Sequence, residues 1–199
     1  MKLKIAFLVL LMGLSACNLN APGQSPADPT ITAEATPPVT VENPDGTVGE
    51  GETTYFLVTT QADEGSLPVG CEGFVTPFTT ESARPDPTEQ LRANLEALLS
   101  APSDETNLNY LVAQNLTLND VSVSSDGAAD IALEGDLALA GECVDAQIEA
   151  QILLTVFAVE AVQQARITLN GDNLKQVFDV SGEVGAEAVY TEADVRVRE

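Results

Sequence analysis

The chain has 199 residues, with 8 Lys and Arg, 31 Asp and Glu and no His, so its formal net charge at pH 7 is −23. A surface this acidic repels phosphate backbones, which argues against nucleic-acid binding through a basic patch. Without histidine the chain contains neither a Ser-His-Asp triad nor a His-based zinc site, and its length suits one domain of ordinary size.

The first 16 residues have the pattern of a secretory signal peptide. Lys2 and Lys4 are followed by an almost unbroken apolar run, Ile5–Leu14, which is too short for a membrane-spanning helix of roughly 20 residues. Leu14-Ser15-Ala16-Cys17 resembles the bacterial lipobox, in which cleavage before the cysteine leaves a thiol that carries diacylglycerol. We therefore expect Cys17 to be the lipidated N-terminus and to attach the protein to the extracytoplasmic face of the cell membrane. The alternative is an ordinary signal peptide that happens to contain a cysteine.

Residues 17–52 are predicted to form a disordered tether. Between residues 18 and 52 lie six of the eleven prolines but no Lys, Arg or aromatic residue. Such a segment buries too little apolar surface to offset its ordering entropy. As a flexible coil of about 35 residues it would span roughly 33 Å, which lifts the folded domain off the membrane.

The first half of the folded domain, from residue 53, is predicted to contain two strands and a helix. Residues 53–60 and 71–80 are rich in β-branched and aromatic side chains, which is typical of strands. Asp86-Pro87-Thr88-Glu89 combines an N-cap aspartate, an early proline and a glutamate three positions later, which indicates a helix start. Leucines at 91, 95, 98 and 99 form one apolar stripe, and Ser100-Ala101-Pro102 ends the helix.

The second half of the domain is predicted to contain a hairpin, a helix and a further strand. Residues 115–124 and 128–134 flank Ser125-Asp126-Gly127, a sequence that favours a hairpin turn. A helix from about residue 144 to 159 presents one face formed by Ile148, Ile152, Thr155, Val156 and Val159, and residues 163–169 form the next strand. We therefore predict an α+β fold of two layers, a mixed β-sheet with two amphipathic helices on it.

In this order the segments resemble the GerMN domain, named after a spore-germination and sporulation lipoprotein. The family's first helix usually ends in Leu-Leu-x-Gly-Pro, and Ala101 replaces that glycine here. The resemblance implies an extracytoplasmic, non-catalytic module over residues 53–192, with 193–199 as a tail. It implies the fold and not the sporulation role, because the sporulation protein carries two copies and this chain has room for one. The segments that carry it are 55–58, 95–102, 116–123, 127–131, 151–157 and 165–171.

Two cysteines remain once Cys17 is assigned to lipid. In an exported domain the simplest prediction is a disulfide between Cys71, at the start of the second strand, and Cys143, just before the second helix. It would close a loop of about 73 residues and stabilise the fold by roughly 4 kcal/mol in the chain-entropy model. The alternative is a redox pair, although the chain has no Cys-x-x-Cys motif and no cation beside either cysteine.

The carboxylates offer candidate ligands but no recognisable motif. Glu134, Asp136, Glu142 and Asp145 lie in one acidic loop, residues 134–145, and hard cations prefer oxygen ligands. Their spacing differs from that of a calcium-binding loop, so we predict a solvated loop and no metal site. No nucleophile elbow, Walker loop or dinucleotide fingerprint occurs, so we expect neither a cofactor nor an enzymatic activity.

Three functions remain open from the sequence. The first is a tethered interaction or scaffold module that contacts an envelope protein through a sheet edge or a helix face. The second is a lipoprotein that binds a small ligand or a cation, although one small domain is a poor clamp. The third is a hydrolase that acts with paired carboxylates on a cell-wall glycan.

Overall fold

The computed structural model describes residues 52–82 and 86–195, which belong to one compact unit. The predicted signal peptide, Cys17 and nearly all of the predicted tether lie outside the described residues. No helix in the described ranges is long and apolar enough to cross a membrane.

The first sheet contains four strands in the order β2-β3-β1-β4. They are β1 (Glu52–Thr59), β2 (Leu67–Pro68), β3 (Phe74–Glu81) and β4 (Asn107–Leu108). β1 and β3 are antiparallel along their whole length, with Glu52 opposite Glu81. β3 begins three residues later than predicted, because Gly70, Cys71 and Glu72 have φ values of 54°, 51° and 61°, so the chain is turning there.

The second sheet follows the order β5-β6-β7-β8, with β9 also paired to β7. Its strands are β5 (Thr117–Val123), β6 (Ala128–Glu134), β7 (Gln164–Leu169), β8 (Asp172–Asn173) and β9 (Tyr190–Thr191). β5 and β6 form the predicted hairpin, and β6 and β7 are parallel. The connection between these parallel strands contains the second helix, as parallel pairs require a long crossover.

Two long helices contribute leucines and isoleucines to the main core. α1 (Pro87–Ser100) is capped as predicted, since the Asp86 carboxylate accepts hydrogen bonds from the N–H groups of Thr88 and Glu89. α2 (Glu142–Phe157) begins and ends about two residues earlier than predicted, and all five residues of its predicted face are buried. A short α3 (Leu174–Val177) and two 3₁₀ turns (Val112–Gln114 and Glu192–Val195) complete the elements.

β4 pairs with β1 only at Val58 and Thr59, and the rest of that edge, which we call the free edge of β1, explains why the strands form two sheets and not the single layer that was predicted. The N–H of Thr54 donates to Asn94 of α1 at 2.9 Å, and the N–H of Phe56 donates to Thr155 of α2 at 3.2 Å. Gln151 of α2 donates to the carbonyl of Phe56 at 3.2 Å. Helix side chains thus take the places that a further strand would occupy. The α+β class is confirmed, with α1 packed on both β1 and β5.

Candidate functional site

The predicted disulfide is present in the structure. Cys71 and Cys143 are bonded, with their Cα atoms 5.6 Å apart, and they are separated by 72 positions in sequence. Both cysteines are exposed, and Cys143 lies in the first turn of α2 instead of before it. The bond fixes the turn at Gly70–Glu72 to the start of α2.

The predicted acidic loop is shorter than expected, because Glu134 ends β6 while Glu142 and Asp145 lie in the first turn of α2, and its carboxylates serve the local fold. Asp145 accepts a hydrogen bond from the N–H of Ala140 at 2.8 Å, and Glu134 accepts one from the side chain of Asn119 at 3.0 Å. Within residues 52–82 and 86–195, no group of three or more Cys, Asp or Glu side chains is placed to hold a metal ion. The structure therefore does not bring the four loop carboxylates together into a metal centre.

A cavity of about 270 Å³ lies between α2, the disulfide-bonded turn and the end of the described chain, and we call it the C-terminal cavity. One wall is formed by α2 and another by Val69 and Gly70 next to the disulfide. The remaining wall consists of residues between 175 and 195. The lining residues are Val69, Gly70, Ala146, Glu149, Ala150, Leu153, Lys175, Phe178, Asp179, Val180, Val184, Tyr190, Asp194 and Val195.

A polar network crosses this cavity's wall. Tyr190, only 1% exposed, donates a hydrogen bond from its hydroxyl to Glu149 Oε1 at 3.0 Å. Lys175 Nζ lies 2.7 Å from Asp194 Oδ1, 3.0 Å from the carbonyl oxygen of Val189 and 5.1 Å from the centre of the Tyr190 ring. The network joins α2, α3 and β9, so it holds residues 189–194 against α2 and α3.

Burial and hydrogen bonding set the pKa values of the titratable groups around the cavity. Burial raises the pKa of Tyr190 above its ordinary value, and the charge of Glu149, its hydrogen bond and the charge of Asp194 raise it further. Burial opposes ionisation of Asp194, yet hydrogen bonds from Lys175 and Thr191 lower its pKa overall. The pKa of Asp179 falls to about 2, chiefly because the Ser181 hydroxyl and then the Val184 N–H donate to its carboxylate.

A second feature is the outer face of the second sheet, which we call the Arg166 face. Along β6 and β7 every second residue is buried, and the alternate residues, among them Asp130, Arg166 and Thr168, are exposed or half-buried. Arg166 Nη2 lies 3.8 Å from Glu187 Oε2, and its Nε is buried with no hydrogen-bond acceptor among the described residues. A depression of about 150 Å³ surrounds it, lined by Asp120, Asp130, Ile131, Ala132, Arg166 and Thr168.

The sequence analysis predicted neither the C-terminal cavity nor the Arg166 face, although the small number of basic residues was a signal that points to both. The described part of the chain contains three basic residues, Arg92, Arg166 and Lys175, and each of them is paired with a carboxylate. In so acidic a chain, a basic residue inside the folded domain marks a position where the structure uses a positive charge.

Comparison with known proteins assigns the fold to a family. The family model Germane, described as sporulation and spore germination, matches residues 53–175, which confirms the resemblance to the GerMN domain. No curated protein matches the chain. A crystal structure of a protein described as a lipoprotein from Clostridium perfringens is 15% identical with a TM-score of 0.41, over 74% of this chain and 93% of that chain. Because the family model spans more than half of the sequence, this chain belongs to the Germane family of sporulation and spore germination.

Proposed function

We propose that this chain is a lipid-anchored protein of the extracytoplasmic membrane face, and that its Germane domain is a non-catalytic interaction module of the cell envelope. The observation that carries the proposal is the exposed Cys71–Cys143 disulfide within a Germane domain. Disulfides persist in oxidising compartments outside the cytoplasm. The lipobox-like sequence that ends at Cys17 supports the same location.

The strand edges of the first sheet are poorly suited to receive a partner strand. On the free edge of β1, the backbone groups of Thr54 and Phe56 already pair with helix side chains. Pro77 of β3 lies opposite Phe56, whose N–H points away from β3. The nitrogen of Pro77 therefore faces the outer edge of β3, where it has no hydrogen to donate. These features favour contact through a face of the domain instead of strand addition.

The Arg166 face is the contact surface that we propose. The side chain of Arg166 is 42% exposed and its one ion pair, with Glu187, is long at 3.8 Å, and arginine is enriched at the energetic centres of protein interfaces. Asp120, Asp130 and Glu187 surround it, so the partner that fits is an envelope protein with a basic surface that also supplies an acceptor for Arg166.

Photocrosslinking in the native envelope tests this surface. A photoreactive residue at Ser122, beside Asp130 on the Arg166 face, should give a discrete adduct with an envelope protein. The same residue at the exposed Glu96 of α1 is the matched control and should give none. Arg166→Glu should abolish the adduct. Equal adducts at both positions, or no adduct at Ser122, would contradict the proposed surface.

Mass spectrometry of the native protein tests the proposed location separately. We expect an N-terminal Cys17 that carries diacylglycerol and a bonded Cys71–Cys143 pair. A chain that retains Met1, fractionates with the cytosol and has free thiols at both positions would overturn the lipoprotein assignment.

A further inference from the structure

We propose that the Cys71–Cys143 disulfide is a redox-sensitive switch, and that its reduction frees the connection between β1 and β3 from α2 while the rest of the domain stays folded. This β1–β3 connection is residues 60–73 and includes the short strand β2. Both cysteine residues are exposed, so a dithiol reductant reaches the bond from solution. The inference goes beyond the proposed function, because it depends neither on the Arg166 face nor on the membrane anchor.

Little apolar packing holds the β1–β3 connection in place. Of residues 60–73, only Val69 and Gly73 are buried. β2 pairs with β3 at two positions, and the hydroxyls of Ser66 and Thr76 share a hydrogen bond of 2.9 Å. Segments with few buried apolar contacts open at a low cost in free energy, so the covalent bond is the main restraint on this connection.

The turn that carries Cys71 has a backbone conformation that its residues disfavour. Cys71 and Glu72 have φ values of 51° and 61°, in the left-handed region where a side chain crowds the backbone. Two adjacent non-glycine residues keep this conformation only where the surrounding structure enforces it. Inside the turn, the N–H of Gly73 donates to the carbonyl of Gly70 at 3.0 Å, and the N–H of Val69 donates to the carbonyl of Gly73 at 2.8 Å. Loss of the covalent restraint therefore lets the turn relax and breaks both hydrogen bonds.

The elements on either side of the connection are held independently of the disulfide. β1 and β3 are paired as far as Thr59 and Phe74, so both ends of the connection stay in the sheet. On α2, Ile148, Ile152 and Val156 are at most 2% exposed and lie in the main core. Opening is therefore confined to residues 60–73.

Opening of the connection uncovers apolar surface. Val69 packs with Phe56, Val58 and Val75 in a small core cluster that is separate from the main core. Val69 and Gly70 also form one wall of the C-terminal cavity. The reduced protein therefore exposes apolar groups beside this cavity, and the oxidised protein covers them.

The switch operates by thiol–disulfide exchange. A thiolate of the dithiol attacks the Sγ of one cysteine, forms a mixed disulfide and expels the other cysteine as a thiolate, which takes up a proton. The second thiolate of the reductant then attacks its own sulfur in the mixed disulfide, and the remaining cysteine leaves and is protonated. Two electrons and two protons thus pass from the dithiol to Cys71 and Cys143, and the reductant departs as a disulfide. Exchange with a disulfide oxidant reverses the reaction.

Hydrogen-exchange mass spectrometry of the full chain before and after treatment with dithiothreitol tests the switch. The reagent should reduce the bond in the folded protein. Exchange in residues 60–73 should then accelerate by at least about tenfold, while α1, α2 and β7 keep their protection. The double variant Cys71→Ser/Cys143→Ser should show the same pattern without reagent. Cys71→Gly/Cys143→Ser is the matched control, because glycine adopts a φ of 51° without strain, so residues 60–73 should exchange more slowly than in the double-serine variant.

Faster exchange throughout the domain after reduction would overturn the proposal, because the disulfide would then support the whole fold. Unchanged exchange in residues 60–73 would also overturn it, as would a bond that dithiothreitol reduces only after the protein is unfolded in urea. Equal exchange in the two disulfide-free variants would contradict the strained turn as the cause of opening. All these measurements use the isolated protein, so their outcome is independent of the photocrosslinking that tests the Arg166 face.

Discussion

The free edge of β1 and the segment 174–195 both leave backbone groups without a ladder partner, and they meet that need with different chemistry. On β1 the partners are the neutral side chains of Asn94, Gln151 and Thr155, which are at most 1% exposed. In the segment 174–195 the partners include the charged Lys175 and Asp179. Burial therefore decides which kind of side chain pairs with a backbone group, since a charge is costly in the core and is screened at the surface.

Asn173, which directly precedes the segment 174–195, supports this rule. It is 3% exposed, and its neutral amide donates to the carbonyls of Ala186 and Ala188 at 2.9 and 2.7 Å. Where the segment 174–195 meets the core, the partner is again an uncharged amide. The charged partners lie further out, where solvent reaches them.

The largest effect is expected from Gln151→Leu. The change removes a partner of the buried carbonyl of Phe56 and partners of the part-buried Tyr110 N–H and Leu108 carbonyl. An unsatisfied buried group costs about 1–3 kcal/mol, so we expect a loss of about 3 kcal/mol or more in the free energy of unfolding. Urea denaturation measures it. Gln164→Leu, at an exposed position of β7, is the matched control, with an expected change within about 0.5 kcal/mol. Equal losses in the two variants would refute the assigned role of Gln151.

The sequence contained a signal for this edge that the prediction did not use. Gln147, Gln151 and Thr155 recur every four residues along α2, and all three are buried. Gln90 and Asn94 repeat the spacing on α1 and are also buried. A polar stripe at helical spacing inside an apolar face indicates that the helix faces backbone groups. Only Thr155 of these five was placed correctly, because an isolated threonine does not disrupt an apolar face.

The other elements could be predicted from the sequence where nearby residues define them. Elements that depend on pairing with distant residues could not. The Asp86 cap, the leucine stripe of α1 and the Asp126-Gly127 turn act within a few residues, so their sequence suffices. The two-residue strands β2, β4, β8 and β9 exist only through their partners, so no periodicity reveals them. The walls of the C-terminal cavity come from residues 69 to 195, and their proximity follows from the fold alone.

A pair of glycines, one packed in the domain and one exposed in the segment 174–195, gives the next effect. Gly127, in the β5–β6 hairpin, and Gly182, in the segment 174–195, have φ values of 82° and 73°. A Cβ at Gly127 would lie 2.8 Å from the carbonyl oxygen of Ala161, whereas a Cβ at Gly182 would meet nothing within 4 Å. We expect Gly182→Ala to cost about 1 kcal/mol for the backbone strain alone, and Gly127→Ala to cost about 2–3 kcal/mol because a clash adds to it.

Thermal and urea unfolding of the two glycine variants measure this difference. Similar costs for both would mean that the hairpin turn adjusts as freely as the exposed loop. The packing around Gly127 would then add nothing to the cost of a Cβ at that position.

Lys175→Met should have a smaller effect. Lys175 and Asp194 have side chains that are 25% and 30% exposed, and the ammonium also pairs with the Val189 carbonyl. We expect a loss of about 1 kcal/mol together with faster proteolysis of the segment 174–195. Arg92→Met breaks a more exposed pair, 3.8 Å from Asp120, and should change stability by less than about 0.5 kcal/mol. An unchanged proteolysis rate in Lys175→Met would show that Lys175 does not hold the segment 174–195 in place.

The smallest effect is a pH dependence that belongs to the segment 174–195 alone. Hydrogen bonds from Ser181 and Val184 lower the pKa of Asp179 from 3.8 to about 2 in the folded state. Because the folded pKa is depressed, the unfolded state binds more protons between these values. The stabilisation is thus present above pH 4 and is lost as the pH falls towards 2.

We expect Asp179→Asn to unfold at a lower temperature than the unaltered protein at pH 5, and the two to converge at pH 2. Ser181→Ala should shift the unfolding temperature in the same direction by less, whereas Gln151→Leu should remain destabilised at every pH, since its groups do not titrate. A difference for Asp179→Asn that is as large at pH 2 as at pH 5 would show that Asp179 acts through its shape and not through its charge.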